Sequence, residues 1–360
     1  MRPVRAAGNG RAEPVVFVTW DADTLGGMQR VTHTLAQGLA VRGHEVHVVG
    51  IHRSSAPFRY VAEPGYHRHV LQGRIGRPSR RRLAALLGAL RFGYVILTSP
   101  AAVAWAREAV PRRLFTVGQY HGSYEHARST WHLRSIRRHY PELDQAVFLS
   151  PEDAWRFTAD CLLPNAADVP NPLPVWPGRT SPLTAPRVLG VGRLAGVKRF
   201  DRLVSAFAAA CRAVPERWEL HLVGEGEDEP RLREQAAAEG VADRVVFHGR
   251  LPAEQMPALY LGGSILALTS DHEGLPLAAA EAASYGVPAV AFDVSSGVRA
   301  VAARTVPPGD LAAFTAELTA LMADLAARRR LGAAARERVA ALRPGHVLDR
   351  WEELFAHLRL

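Results

Sequence analysis

Lysine is all but missing from this chain: of 44 cationic side chains, 43 are arginine and one is lysine, Lys198. The bias is compositional, but it makes the place of the one ammonium informative. Cysteine is scarce as well, with Cys161 and Cys211 in separate halves of the 360 residues. Two distant thiols read as buried thiols in a reducing cytoplasm in preference to a disulfide or a metal site. No apolar run approaches the roughly 18 residues that span a bilayer. The leading MRPVRAAGNGRAEP lacks the apolar segment of a signal peptide. The expected location is therefore cytoplasmic, with peripheral contact at the inner face of a membrane left open by the charge distribution. Net charge is missing from the second half: residues 171–360 carry 22 basic and 22 acidic side chains, whereas residues 1–170 carry 22 and 13. The whole excess of +9 lies in the first half and points to an anionic partner or surface there. A nucleic-acid role is disfavoured, because no basic stretch is interleaved with aromatics in a known module.

What the sequence does contain is alternation. Val15–Trp20 reads as a strand, followed by a helix with Val31, Leu35 and Leu39 on one face that stops at Gly43, and by a strand from His44 to Gly50. Residues 51–76 are polar and without a clear period, and most of them are expected to be strand and loop. From Pro78 to Phe92 a basic amphipathic helix is expected, with Arg80, Arg81 and Arg82 ahead of Leu83, Leu86, Leu87 and Leu90. Strands are expected at 94–98, 113–118 and 144–150, with helices at 101–110 and from Pro151. Pro164–Pro186 holds seven prolines in 23 residues and is expected to be an irregular domain linker. Beyond it, strands are expected at 187–191, 218–223, 245–247, 264–270 and 289–292, with helices between them and over 298–303 and 311–341. Such alternation predicts an α/β protein of two doubly wound Rossmann-like domains facing a cleft.

Chemistry concentrates in Ser264–Phe292, SILALTSDHEGLPLAAAEAASYGVPAVAF. Between its two apolar runs lies an alanine-rich helix. Gly274 and Pro276 mark the strand-to-helix turn, Pro276 is expected in the first helical turn, and Gly286 and Pro288 end the helix. This turn stands at the carboxyl end of a strand and at a helix N-terminus, where backbone N–H groups suit a phosphate. Glu273 precedes the glycine and Glu281 follows eight residues later, about two helical turns in. Carboxylates accept hydrogen bonds from hydroxyls, so one suits a sugar and the other a ribose. Alone, each glutamate reads as a solvated or dipole-stabilised helix acid. Upstream, Gly192-Arg-Leu-Ala-Gly-Val-Lys198 places Arg193 and Lys198 around a glycine turn ahead of another helix, two cations for a diphosphate. Gly26 and Gly27 lie in the first strand-to-helix loop, where a bare backbone can approach a ligand. Gly224-Glu-Gly226 is too short for a dinucleotide fingerprint. Asp21 and Asp23 form a D-x-D in this loop and read as loop acids.

The pattern E-G-L-P-L-x-x-x-E-A at 273–282, G-R-L-x-x-x-K-x-x-D-x-L at 192–203 and the glycine loop before R-G-H-E-V resemble retaining nucleotide-sugar glycosyltransferases of family 4, with the two-Rossmann-domain (GT-B) architecture. A weaker likeness, in GQYHGSYE and FLSPED, points to enzymes that glucosylate teichoic-acid-type polymers. The resemblance implies an acceptor domain at 1–168, a linker at 169–186 including VPNPLP, a donor domain at 187–343 and a helix at 344–360 returning to the first domain. It implies sugar transfer with retention, a UDP-sugar as the first donor to consider, no cofactor and no metal. It places His121 and Glu273 at the transferred sugar. Gly27, Arg193, Lys198, Gly274, Leu275 and Pro276 go to the donor diphosphate, and Arg250, Leu251 and Glu281 to the nucleoside. An epimerase or phosphorylase on the same fold is the alternative enzyme. A non-catalytic binding role is disfavoured because Arg193, Lys198, Glu273 and Glu281 are all present.

Overall fold

The computed structural model describes residues 13–55, 57–71 and 76–360. The leader, read as lacking a signal peptide, lies largely outside them. Two compact units emerge, one reaching Pro174 and including Pro344–Leu360, the other Val175–Arg343. In chain order the first runs β1 (Val15–Asp21), α1 (Gly27–Val41), β2 (Val46–His52), β3 (His67–Val70), α2 (Arg77–Gly88), β4 (Tyr94–Leu97), α3 (Pro100–Ala106), β5 (Phe115–Gln119), α4 (Tyr124–Arg128), α5 (Trp131–His139), β6 (Gln145–Phe148), α6 (Pro151–Cys161) and β7 (Ala166–Asp168). The second runs β8 (Arg187–Val191), α7 (Phe200–Ala213), β9 (Glu219–Val223), α8 (Glu229–Ala238), β10 (Val245–Phe247), α9 (Met256–Leu261), β11 (Ile265–Leu268), α10 (Leu277–Ser284), β12 (Ala289–Phe292), α11 (Ser296–Val301), β13 (Arg304–Val306), α12 (Leu311–Ala323) and α13 (Leu325–Arg338). The last helix, α14 (Pro344–Leu358), belongs to the first unit.

Among the described residues every strand pair is parallel, in the orders β3-β2-β1-β4-β5-β6-β7 and β10-β9-β8-β11-β12-β13. Helices on both faces bury these strands completely, which is why β4, β11 and β12 are apolar runs without polar alternation. In the first unit Val16, Val18, Val95 and Leu97 pack with Leu83, Leu87, Trp105 and Phe157. From α14, Phe355 stacks on Tyr94 with ring centroids 4.2 Å apart and accepts the tyrosine hydroxyl's hydrogen bond at its carbonyl (2.9 Å). The second core gathers Val188, Leu220 and Leu222 with Phe207, Trp218 and Phe314. No helix of the described residues is long and apolar enough to cross a membrane.

Several local expectations change. The span 164–186 is not wholly irregular: β7 closes the first sheet within it, formed by the proline-free Ala166–Asp168 pairing with β6. The polar stretch 51–76 contributes an edge strand, β3, whose His-Arg-His pattern has exposed faces and therefore no apolar signature, while residues 56 and 72–75 lie outside the described residues. The basic helix is shorter than expected, ending at Gly88, where Arg113 donates to the carbonyls of Gly88 (2.6 Å) and Leu90 (2.7 Å). Helix 311–341 is broken at Asp324, whose side chain caps α13 by accepting from the Ala327 N–H at 2.9 Å.

Candidate active site

The second sheet reverses its strand order at β8, so the loops leaving β8 and β11 meet at a topological switch point, the usual ligand position in such sheets. The β8 loop is shaped by glycine. Gly224 has φ +140°, and a Cβ there would lie 1.9 Å from the Gly192 carbonyl oxygen; one on Gly226 would lie 2.2 Å from that of Leu194. Gly224-Glu-Gly226 is thus a packing device that lets the β9 loop lie backbone to backbone on the β8 loop. Beyond it, Arg199 adopts a left-handed φ of 50°, rare for a side chain of its size. The guanidinium bonds Asp201 (2.8 Å) and Asp271 (3.3 Å), Arg202 also holds Asp271 (2.6 Å), and the Thr269 hydroxyl donates to the Arg199 carbonyl (2.8 Å). With the Asp271 N–H donating to the Val197 carbonyl (2.9 Å), the two loops are welded together.

That weld delivers the lysine. Lys198 Nζ stands 2.7 Å from Glu273 Oε1, and the Ser270 hydroxyl donates to the same oxygen at 2.7 Å. The Lys198 side chain is 26% exposed and that of Glu273 10%, so the pair is accessible from one side and partly shielded from water. Arg193 stands exposed on the same loop. Next to the pair, α10 starts at Leu277 with Pro276 as its extended N-cap, not in its first turn. Residues 273–276 are therefore not helical, and Glu281 sits about one turn inside α10, not two. The Gly274 carbonyl accepts from the Ser295 hydroxyl (3.1 Å), and Gly297 passes so close that a Cβ there would lie 1.9 Å from it. These contacts fix the turn Gly274-Leu275-Pro276, and the first N–H groups of α10 have no acceptor within their own helix.

Glu281 is no surface acid. It is 4% exposed, and the buried Tyr260 hydroxyl donates to its Oε2 at 2.9 Å. Tyr260 in turn stacks on Tyr285, centroids 5.4 Å apart. Arg250 and Leu251 follow Gly249 (φ +63°) in the loop after β10, two strands away from β8. The structure thus joins Lys198 to Glu273, sets Gly274, Leu275 and Pro276 beside them, and keeps Glu281 with a separate partner.

In the first unit, Gly26 and Gly27 open α1 at the carboxyl end of β1. The Tyr60 hydroxyl accepts from the Gly26 N–H (2.7 Å) and donates to the Thr24 carbonyl (2.8 Å), which pins this loop. His33 supports it from below, bonding the Ala22 carbonyl at 2.8 Å and the Tyr66 hydroxyl at 2.6 Å. His121 lies just past β5, its Nδ1 3.2 Å from Oδ1 of Asn171, and burial pushes the imidazole down to about 4. Asp21 closes its own turn by accepting from the N–H groups of Asp23 (2.9 Å) and Thr24 (3.0 Å), while Asp23 pairs with Arg68. Among the described residues no three His, Cys, Asp or Glu side chains gather as a metal site. Sequence reasoning missed Ser270, the Asp271 clasp, Tyr260 and Asn171. The first two stand within Ser264–Phe292, but Ser270 bonds Glu273 three residues on, and nothing in spacing announces the partners of Asp271, 72 and 69 residues away.

Comparison with known proteins agrees with the fold. Residues 25–174 match the model of Glycosyltransferase Family 4, and residues 178–338 that of the glycosyl transferases group 1. Together these cover most of the chain, one on each unit. The chain has the two Rossmann-like domains of GT-B proteins and belongs to these glycosyltransferase families. An exopolysaccharide phosphotransferase of Streptomyces coelicolor is 28% identical over 95% of this chain, which spans only 40% of that relative's length. An uncharacterized glycosyltransferase of Haemophilus influenzae is 27% identical, covering 79% of this chain and 81% of its own. The structure of Anabaena HepE in complex with UDP-glucose shares the fold, with a TM-score of 0.74 at 15% identity over 95% of this chain and 99% of that one.

Proposed function

We propose that this chain moves a sugar from a nucleoside-diphosphate sugar to an acceptor with retention of anomeric configuration, using side chains and no metal ion. The observation that carries the reading is the 2.7 Å meeting of Lys198 and Glu273 at the switch point, beside the start of α10. An ammonium and a helix N-terminus together stabilise the negative charge that a departing diphosphate accumulates. A carboxylate a hydrogen bond away suits a sugar hydroxyl and the positive charge growing at the anomeric carbon. On binding, Lys198 would divide its three protons between Glu273 and diphosphate oxygens.

The remaining roles are those that the family resemblance implies. Arg193 supplies a second cation and Gly274 and Leu275 backbone N–H groups, with Pro276 shaping the turn. Gly27 offers close backbone approach from the first unit. Glu281 takes the ribose, Arg250 and Leu251 the base, and His121 the transferred sugar. The HepE complex makes UDP-glucose the first donor to try. An anionic or membrane-associated acceptor is supported by the charge: residues 77–140, which include α2 and α5, hold twelve arginines and two glutamates. The exopolysaccharide named for the Streptomyces relative favours an envelope glycan.

The test is incubation with UDP- and GDP-sugars, following nucleoside diphosphate release with and without EDTA and the product's anomeric configuration by NMR. Release untouched by EDTA and a retained anomer are expected. Activity abolished by EDTA and restored by Mg²⁺ or Mn²⁺, an inverted product, or donor epimerised without acceptor would overturn the reading.

A further inference from the structure

The segment Val169–Pro174 carries one polar side chain that is buried, Asn171, among three prolines. We propose that Asn171 is a positioning residue that locks His121 in the tautomer with the proton on Nδ1, so that the Nε2 lone pair is offered to a hydroxyl of the transferred sugar. The inference rests on the reading of His121 as a sugar contact.

Three observations converge. The His121 ring and the Asn171 amide, 50 residues apart, meet at 3.2 Å through Nδ1 and Oδ1. An amide oxygen can only accept, so Nδ1 must carry the hydrogen; the opposite tautomer would set two lone pairs against each other. The second ring nitrogen, Nε2, is buried and has no hydrogen-bond partner among the described residues. A buried acceptor left unmade is costly, and a ligand hydroxyl that donates to it removes that cost. Protonation does not compete, since burial and the Asn171 bond are the influences acting on the ring and burial dominates toward the neutral form.

The backbone makes the arrangement stiff on both sides. His121 leaves β5 where the Tyr120 N–H donates to the Val147 carbonyl (2.9 Å), and the loop beyond it is tied to α6, Asp153 accepting from the Tyr124 N–H (2.9 Å) and the Ser150 hydroxyl (3.0 Å). Asn171 is placed by β7, with the Val169 N–H donating to the Phe148 carbonyl (2.9 Å), and by the restricted backbones of Pro170 and Pro172. An amide held this way orients the ring as a second partner orients a ligating histidine.

The experiment is nitrogen NMR of the histidine rings in the full chain, with His121→Gln to assign the signal, alongside kinetics of Asn171→Asp and Asn171→Leu. In the wild type at neutral pH, His121 should show a protonated Nδ1 and a bare Nε2. Asn171→Leu should mix the tautomers and lower kcat/KM roughly tenfold, the scale of one lost hydrogen bond. Asn171→Asp keeps the acceptor but adds a negative charge, which raises the imidazole pKa; Nε2 then gains a proton at a higher pH than in the wild type, and the acidic limb of turnover should move upward in pH. A wild-type ring protonated on Nε2, as an amide turned by 180° would produce, overturns the proposal. So do unchanged tautomer and pH profile in both variants. The NMR result does not depend on finding a donor, so failure of the glycosyltransfer reading would show separately as absence of turnover.

Discussion

A phenol holds the carboxylate of Glu281, and that single contact separates two readings of the residue. If Glu281 takes a ribose, Tyr260→Phe removes the hydrogen bond that orients its Oε2 while preserving the ring stack on Tyr285. We predict that this variant loses affinity for UDP, by about the 1.5–3 kcal/mol of a hydrogen bond to a charged group, and keeps its affinity for inorganic pyrophosphate. Calorimetry with both ligands checks this; equal losses would remove Glu281 from the ribose. His121 gives a pH prediction. Its pKa in the folded chain is about 4, below the ordinary 6.5, so between those values the unfolded chain binds a proton that the native one refuses. Folding stability should therefore fall as pH drops from about 6.5 to about 4, and His121→Gln should lose less over that window. Denaturant midpoints at pH 7 and pH 5 measure it, and identical pH dependence in the two proteins would refute the burial argument.

At the scale of elements, glycine is what lets the loops converge. At Gly224 any side chain faces both a positive φ and a carbonyl oxygen 1.9 Å away, so Gly224→Ala must move backbone. We predict a destabilisation of about 1–3 kcal/mol, the range for overpacked sites, together with weaker UDP binding because the β8 loop carrying Lys198 shifts. Unfolding and titration of the same variant test both parts; a neutral effect on both would show that the loop crossing does not set the site. Period and punctuation made most strands and long helices of this fold legible in the sequence. The central strands read clearly because both faces are covered, and α10 because Pro276 and Gly286 bracket it. The edge strands β3 and β13 did not, since they are short and half polar, nor did α4 and α5, which are short and rich in arginine and histidine. In the candidate site, the loops and Glu273 stood out by motif, and Lys198 by being the one lysine. Its 2.7 Å bond to Glu273 is a pairing between residues 75 apart, as are the Asp271 clasp and the Tyr260 bond in kind, and spacing along a chain carries no such information.

For the whole molecule, excess charge and the proposed donor site are separated in sequence. The arginine-rich 77–140 segment lies in the first unit, while the lysine, both glutamates and the α10 turn lie in the second. Binding to an anionic acceptor should therefore weaken as salt rises, and donor binding, through a partly shielded pair, should weaken less. The most direct test of the central claim is a paired titration of wild type, Lys198→Ala and Glu273→Gln with nucleoside diphosphate and with the matching nucleotide sugar, in the UDP and GDP series. Lys198→Ala should weaken both ligands in the preferred series. Glu273→Gln should weaken the nucleotide sugar while leaving the diphosphate, which has no sugar, nearly as in wild type. Equal losses for the two ligands in Glu273→Gln, or wild-type affinity throughout in Lys198→Ala, would contradict the account.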